Sequence, residues 1–282
     1  MIRVVGYTKV YEKHLAVDDL SFEVDGGEIL GLVGPNGAGK TTTLRALSGI
    51  LTPSGGELTI DGYDVVRKPI EAKRRLAIIP DDPPLFESLT VWEHLDLTAR
   101  LYGVRDWEAP ATRWLERFEL AEQRRKMADQ LSRGMRQKVA VACALLHEPS
   151  ALFLDEPLTG LDPRGIRTLY EALEETAARG AAIVVSSHLL GQIEPLCSKF
   201  LILSKGQRIA YGSKDEIRAA VTSREDASLE EIFFEATEGN GHGSASAERL
   251  PLPESAAPPE LPRPAAATDD VQATPPSAGD PS

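Results

Sequence analysis

Residues 34–41 have the residue types and the spacing that could hold a chain of phosphates. Their sequence, Gly-Pro-Asn-Gly-Ala-Gly-Lys-Thr, follows the apolar run 30–33 and precedes a helix predicted over 42–51. Glycines let successive backbone N–H groups turn toward an anion, and the helix that follows adds the positive end of its dipole. Lys40 could reach the outer phosphates, and the Thr41 hydroxyl could ligate Mg²⁺. The pattern predicts a nucleoside triphosphate site, the alternative being a structural glycine-rich turn.

Two adjacent carboxylates follow a second apolar run, which covers residues 151–154. Asp155 could hold Mg²⁺ through its water shell, and Glu156 is a candidate general base for an attacking water. The alternative is that the pair caps a helix. An unpaired carboxylate at the end of a buried strand is costly, which favours the functional interpretation. We find no Asn-Lys-x-Asp box of the kind that reads guanine, so ATP is favoured.

The periodicity of the chain predicts the elements that would position these residues. Two alternating runs within residues 2–25 indicate antiparallel strands, and residues 90–147 have helical spacing. Further strands are predicted at 57–60, 75–79, 151–154 and 182–186, a helix at 167–178, and a hairpin at 200–203 and 207–211. Ser213 and Ser228 are predicted helix N-caps, the second with Glu231 as a capping box.

The composition narrows the class of protein. The chain has 282 residues, of which 42% are hydrophobic, enough for a sizeable core. Two cysteines cannot form a disulfide framework, and neither a secretory signal nor an apolar run of about 20 residues is present. The net charge of −12 argues against a general nucleic-acid binder.

The last segment, 239–282, differs from the rest. It holds nine of the twenty prolines and no aromatic residue, with six acidic and two basic side chains. Such a segment cannot bury enough apolar surface to offset its ordering entropy. The composition predicts a disordered, acidic, Pro/Ala-rich tail.

Six motifs in order resemble those of the ATP-binding cassette (ABC) transporter family, over roughly residues 1–237. They are the Walker A loop (34–41), the signature motif (131–135), the Walker B strand with its glutamate (152–156), the D-loop (158–162), the switch histidine His188 and the adenine-stacking Tyr11. The resemblance implies an α/β fold: a P-loop NTPase (RecA-like) core sheet, an N-terminal antiparallel β subdomain and an inserted α-helical subdomain. An ABC ATPase domain is expected over 1–238, with the helical subdomain at about 82–148.

The resemblance also implies roles for individual residues. ATP and Mg²⁺ are the expected cofactors, and two cassettes would pair head to tail, so that the signature motif of one completes the ATP site of the other. The catalytic residues would be Glu156 and His188. Mg²⁺ would be bound by Thr41, Asp81 and Asp155. The residues expected to bind ATP are Tyr11, Gly34, Pro35, Asn36, Gly37, Ala38, Gly39, Lys40, Thr41, Thr42, Ser132, Gly134 and Met135.

Two positions depart from the usual family pattern. Asp81 follows Pro80 where a glutamine is usual, and we expect it to keep the metal contact, the alternative being a solvated loop residue. Arg133-Gly134-Met135 replaces the commoner Gly-Gly-Gln. This substitution removes the amide side chain at Met135, while donation from the backbone would be kept.

The expected function is a motor subunit that hydrolyses ATP to drive a separate transmembrane permease, with export favoured over import. The chain would then lie in the cytoplasm on the inner face of the cell membrane. Its partners would be the permease and a second cassette, identical or paralogous, and no nucleic acid is expected. The alternatives are a soluble ABC ATPase acting on ribosomes or nucleic acid, and a catalytically silent binding module.

Overall fold

The structure is a computed structural model that describes residues 1–221, 230–231 and 233. The predicted tail at 239–282 and the predicted cap at Ser228 lie outside the described residues. Within them, the strands are β1 (Ile2–Tyr11), β2 (His14–Val24), β3 (Ile29–Val33), β4 (Gly55–Ile60), β5 (Tyr63–Asp64), β6 (Leu76–Ile79), β7 (Ala151–Asp155), β8 (Ala182–Ser187), β9 (Lys199–Ser204) and β10 (Gln207–Gly212).

Eight helices are present among the described residues, three of them in succession between β6 and β7. They are α1 (Lys40–Leu47), α2 (Pro69–Lys73), α3 (Val91–Tyr102), α4 (Glu108–Arg117), α5 (Arg133–Leu146), α6 (Pro163–Ala178), α7 (Leu190–Ile193) and α8 (Lys214–Val221). Short 3₁₀ turns occur at Ala121–Gln123 and Ala128–Gln130. Within the described part of the chain, no helix is both long and apolar enough to cross a membrane.

The strands form two sheets. The larger has the order β10-β9-β3-β8-β7-β6 and is parallel except for the β9–β10 hairpin. The smaller, β2-β1-β4-β5, is antiparallel and consists mainly of the N-terminal strands. A parallel core sheet, an N-terminal antiparallel sheet and a block of helices between β6 and β7 are the architecture that the sequence predicts.

The larger sheet is buried on both faces, which explains its continuous apolar runs. Along β7, Leu152 and Leu154 belong to the hydrophobic core on the side of the helical block. Phe153, between them, belongs to the core under the antiparallel sheet and α1. Successive side chains of a strand point to opposite faces, so one strand supplies both cores.

Helix caps set bounds that differ from the predicted ones. The helix after the glycine loop was expected over 42–51, but α1 covers Lys40–Leu47 and ends at Ser48, before Gly49 at φ +65°. The helix expected from Arg167 begins four residues earlier at Pro163, because the Asp162 side chain accepts a hydrogen bond from the Gly165 N–H and caps it. The predicted cap at Ser213 is confirmed by its bond from Glu216 N.

Candidate nucleotide-binding site

A cleft of about 380 Å³ lies at the carboxyl ends of β3 and β7, above the glycine loop. This is the edge of a parallel sheet at which α/β proteins bind ligands. The structure brings most of the predicted site residues together there. The lining comprises residues Pro35, Asn36, Gly37, Ala38, Gly39, Lys40, Thr41, Thr42, Tyr11, His14, Ala16, Asp81, Asp155 and Glu156.

The loop curls around the ammonium group of Lys40. Its Nζ atom donates to the carbonyl oxygen of Gly34 at 2.7 Å, and the residue is only 6% exposed. Burial lowers the pKa of Lys40, while the carboxylates of Glu156 and Asp155 act in the opposite direction. Gly39 immediately precedes α1 with φ +102°, a conformation that favours glycine. Backbone N–H groups, a helix N-terminus and a buried cation together form a site for an anion.

Asp155 ends β7 and is held by the neighbouring strand. It is 6% exposed, and its Oδ1 atom accepts a hydrogen bond of 2.5 Å from Ser186 Oγ of β8. The pairing of β7 with β8 places Asp155 opposite Ser186, which explains the contact. The sequence analysis did not identify Ser186, although a serine at the end of a buried apolar strand could have indicated a contact with a site residue.

Glu156 lies between a cation and a histidine. One carboxylate oxygen, Oε1, is 3.8 Å from Lys40 Nζ, and the other, Oε2, accepts a hydrogen bond of 2.9 Å from His188 Nδ1. The backbone of Glu156 is left-handed at φ +48°, and its N–H donates to Ser186. The hydrogen bonds made by this N–H and by Oε2 hold both the backbone and the side chain of Glu156 in place. The carboxylate is therefore fixed in a position from which it could accept a proton.

Tyr11 lies at the mouth of the cleft, at the end of β1, and is 41% exposed. Lys9 Nζ lies 5.0 Å from the centre of the Tyr11 ring. His14 faces Tyr11 across the β1–β2 turn and also lines the cleft, a residue that sequence reasoning did not single out. These two rings could stack on a flat aromatic ligand.

Asp81 lines the cleft and also forms an ion pair. Its Oδ1 atom lies 2.8 Å from Nη2 of Arg133, in the first turn of α5. Both side chains are about half exposed. The two positions that depart from the family pattern are thus in direct contact.

The signature residues Ser132, Gly134 and Met135 do not line the cleft. Ser132 is the N-cap of α5, and its hydroxyl accepts a hydrogen bond from Met135 N at 3.3 Å. A Cβ on Gly134 would lie 2.4 Å from the carbonyl oxygen of Gly160, so glycine is needed here for close packing inside the same chain. Sequence reasoning gave Gly134 a phosphate role alone and missed this contact.

The residues around the cleft fit a Mg²⁺ ion that is bound partly by the protein and partly by the phosphates of a nucleotide. Asp155 and Thr41 offer oxygen atoms only, which this cation prefers, and Asp81 lies on the same cleft. Among the described residues, no group of three or more His, Cys, Asp or Glu could hold a metal ion. In nucleotide sites Mg²⁺ usually binds one or two carboxylates and takes its remaining ligands from water and substrate phosphates.

Comparisons with known proteins agree with this geometry. The family model described as "ABC transporter" matches residues 17–159, half of the chain. The ABC-type transporter ATP-binding protein EcsA of Bacillus subtilis is 35% identical over 86% of this chain and 99% of its own. The daunorubicin resistance ATP-binding protein DrrA3 of Streptomyces coeruleorubidus is 38% identical over 77% of this chain and 70% of its own.

Solved structures show the same relationship. An ATP-binding subunit of an ABC transporter, 38% identical, superposes with a TM-score of 0.81 over 84% of this chain and 99% of its own. The cbiO1 protein of Clostridium perfringens, part of the ABC transporter complex cbiONQ, is 26% identical, with a TM-score of 0.67 over 77% of this chain and 90% of its own. With its P-loop NTPase fold and these similarities, this chain belongs to the ABC transporter family, as one of its ATP-binding proteins.

Proposed function

We propose that this chain hydrolyses ATP to drive a separate transmembrane permease that exports its substrate. The observation that carries the proposal is the position of Glu156, whose two carboxylate oxygens face Lys40 Nζ at 3.8 Å and His188 Nδ1 at 2.9 Å. A general base next to a phosphate-binding lysine is what hydrolysis of a terminal phosphate requires.

The predicted site residues have separate roles in this proposal. The N–H groups of the glycine loop and Lys40 bind the phosphates, and Tyr11 stacks on the adenine. Glu156 takes a proton from the attacking water, and His188 orients Glu156 through Oε2. A Mg²⁺ ion held by Thr41, Asp155 and Asp81 would neutralise charge on the phosphates.

The working unit in this proposal is a pair of cassettes. Ser132 and the N–H groups of Gly134 and Met135 lie outside the cleft of their own chain, at the N-terminus of α5. Such a helix start favours an anion, and a second cassette could present it with a γ-phosphate. The second cassette is either an identical chain or a paralogue.

An apolar groove of about 360 Å³ beside the cleft supports permease docking. Its wall includes Ile50, Pro83, Leu85 and Tyr102, and Ile50 is 65% exposed. Residues 81–85 connect the ATP cleft directly to this groove. If a helix end of the permease inserts there, its position would be coupled to nucleotide binding in the cleft. The chain would then lie against the inner face of the cell membrane.

The names of several relatives favour export. Two of them are the linearmycin resistance ATP-binding protein LnrL of Bacillus subtilis and the Nod factor export ATP-binding protein I of Burkholderia pseudomallei. The cbiO1 protein is part of a transporter complex, which supports a separate membrane component and does not bear on the direction of transport. These relatives give no support to the alternative of a cassette that acts on ribosomes or nucleic acid.

Phosphate release by the purified chain tests the catalytic part. Glu156→Gln should lower ATP turnover by about 10²- to 10⁴-fold, the usual contribution of a general base, while ATP binding is retained. Glu122→Gln removes the same charge from an exposed site outside the cleft and should leave turnover unchanged. Equal turnover of Glu156→Gln and the wild type would contradict the proposal.

Co-purification from detergent-solubilised membranes tests the transport part. A polytopic membrane protein should accompany the chain and be lost in Leu85→Glu, which places a charge in the groove. The matched control is Leu101→Glu, at a side chain that is 74% exposed and outside the groove. Co-sedimentation with ribosomes that survives Leu85→Glu would instead favour the alternative.

A further inference from the structure

A second cavity, of about 390 Å³, lies where α4, the end of α5 and α6 meet. It shares no residue with the ATP cleft. We call it the arginine pocket. Its lining comprises Val104, Arg105, Pro110, Arg113, Trp114, Arg117, Leu145, Leu146, His147, Glu148, Glu175 and Arg179.

The arginine pocket is cationic in an acidic protein. Four arginines and two glutamates line it, a surplus of two positive charges in a chain whose net charge is −12. One internal ion pair organises it: Arg117 Nη1 lies 2.6 Å from Glu175 Oε2. The Arg117 guanidinium also lies 4.9 Å from the centre of the Trp114 ring. The ion pair joins α4 to α6, and the contact with Trp114 holds the Arg117 side chain against its own helix.

Two of the arginines have a structural explanation. Arg117 and Arg179 lie at the C-terminal ends of α4 and α6, where the helix dipole favours a cation. Arg105 lies in the α3–α4 connection and Arg113 lies within α4, so this explanation does not apply to them. Within the described residues, neither forms an ion pair, and both side chains are exposed.

We propose that the arginine pocket binds the phosphate group of a small phosphorylated molecule. The surplus of two positive charges matches a phosphate monoester, which carries about −1.5 to −2 at neutral pH. Guanidinium groups bind phosphate oxygens in bidentate pairs, and several guanidinium groups line this one cavity. The Trp114 ring and Pro110 offer an apolar wall for the rest of the molecule, and the volume lies in the usual range for such ligands.

The pocket adjoins the apolar groove. His147 lines both cavities. Its ring stacks on Tyr102 with 3.7 Å between centroids, and its Nε2 atom lies 3.3 Å from the carbonyl oxygen of Leu76. A ligand in the arginine pocket therefore shares a wall with the groove, which makes it a candidate regulator of whatever docks there.

Fluorine NMR of the full chain labelled with 5-fluorotryptophan tests the proposal. The chain has three tryptophans, of which Trp114 alone lines the pocket, and Trp114→Phe assigns its resonance. Phenyl phosphate, a phosphate monoester, is the probe, added at constant ionic strength after a non-hydrolysable ATP analogue has filled the glycine loop. We expect a saturable shift of the Trp114 resonance.

The paired variant Arg105→Gln/Arg113→Gln should weaken this binding by about tenfold or more, because charge-assisted hydrogen bonds are lost. Arg67→Gln/Arg125→Gln removes the same charge from exposed positions outside the pocket and should leave the affinity unchanged. Equal melting temperatures establish that all variants fold. The absence of a saturable Trp114 shift in the wild type, or a shift that survives in Arg105→Gln/Arg113→Gln, would overturn the proposal.

A second arm distinguishes a free phosphate from a lipid headgroup. Vesicles of phosphatidylcholine with phosphatidic acid present a phosphate monoester at a surface. Binding of phenyl phosphate without vesicle binding indicates a soluble ligand. Vesicle binding that depends on Arg105 and Arg113 indicates a lipid source for the same phosphate chemistry.

Discussion

Arg133 Nη2 lies 2.8 Å from Asp81 Oδ1, so the loop after β6 is tied to the first turn of α5. The family usually has a glutamine in place of Asp81 and a glycine in place of Arg133. A carboxylate near bound phosphates would repel them, and the adjacent guanidinium offsets that repulsion. We infer that Arg133 reduces the repulsion between Asp81 and bound phosphates, and that Asp81 in turn provides an ion-pair partner for Arg133.

Asp81→Gln tests the metal role of this carboxylate. We expect hydrolysis to be largely retained while the Mg²⁺ concentration for half-maximal turnover rises, because an amide binds Mg²⁺ less strongly than a carboxylate. The melting temperature should change little, since an exposed ion pair contributes about 0–1 kcal/mol. A Mg²⁺ titration of ATP turnover measures the effect.

The neighbouring acid provides the control for this titration. Asp82→Asn removes a carboxylate that pairs with Arg136 at 3.8 Å and is more exposed than Asp81. Its Mg²⁺ titration should match that of the wild type. Superimposable curves for Asp81→Gln and the wild type would show that Asp81 does not contact the metal.

Ser186→Ala tests the support of Asp155. The substitution removes the donor to a buried carboxylate oxygen, so we expect the free energy of unfolding to fall by about 1–3 kcal/mol. ATP affinity in the presence of Mg²⁺ should also fall. Ser187→Ala, which removes a hydroxyl that bonds the backbone of Leu189, should leave that affinity unchanged. Urea unfolding and ATP titration measure both quantities, and unaltered affinity in Ser186→Ala would refute the supporting role.

Gly134→Ala tests the close packing of α5 against the D-loop. The new Cβ would lie 2.4 Å from Gly160 O, so one backbone must move, at a cost of about 1–3 kcal/mol in the free energy of unfolding. Gly55→Ala is the control, because its Cβ would meet nothing closer than 3.8 Å. Urea unfolding compares the two, and an equal effect at both positions would contradict the expectation.

His147 predicts a pH dependence of stability. Burial lowers the pKa of His147 below its ordinary value of 6.5, so the unfolded chain takes up this proton at a higher pH than the folded chain. Neutral His147 therefore makes its full contribution to the free energy of unfolding above pH about 6.5. This contribution is lost as the pH falls toward the folded-state pKa, at a rate of at most about 1.4 kcal/mol per pH unit.

His147→Gln removes this titration. The free energy of unfolding should then fall less steeply than in the wild type as the pH drops below about 6.5. The exposed His14, changed to Gln, is the matched control. Urea unfolding at a series of pH values gives the slopes, and identical slopes for His147→Gln and the wild type would rule out this contribution.

The structural features that could be predicted from the sequence are those that a short stretch of neighbouring residues determines. The apolar run at 151–154 predicts β7 because no polar side chain interrupts it, and the glycine spacing at 34–39 predicts the loop because few other sequences allow its backbone. The β9–β10 hairpin was likewise predicted from Lys205 and Gly206, which have φ +48° and +80°. These features depend on neighbouring residues alone.

Features that depend on distant residues could not be predicted. Asp81 and Arg133 are 52 residues apart, and only the packing of α5 brings them together. The same holds for Gly134 and Gly160. The end of α1 was misplaced for a different reason: Leu51 continues the apolar pattern, but Gly49 has left the helical conformation.

The two-sided burial of β7 has a consequence for changes in chain length. Deleting one residue before Leu152 would exchange the side chains between the two cores and would turn Asp155 away from Ser186. The connection at 103–107, between α3 and α4, carries no such register. Insertions and deletions should therefore be accepted in that connection and rejected in β7, where the strand pairing fixes the position of Asp155 and of Glu156 next to it.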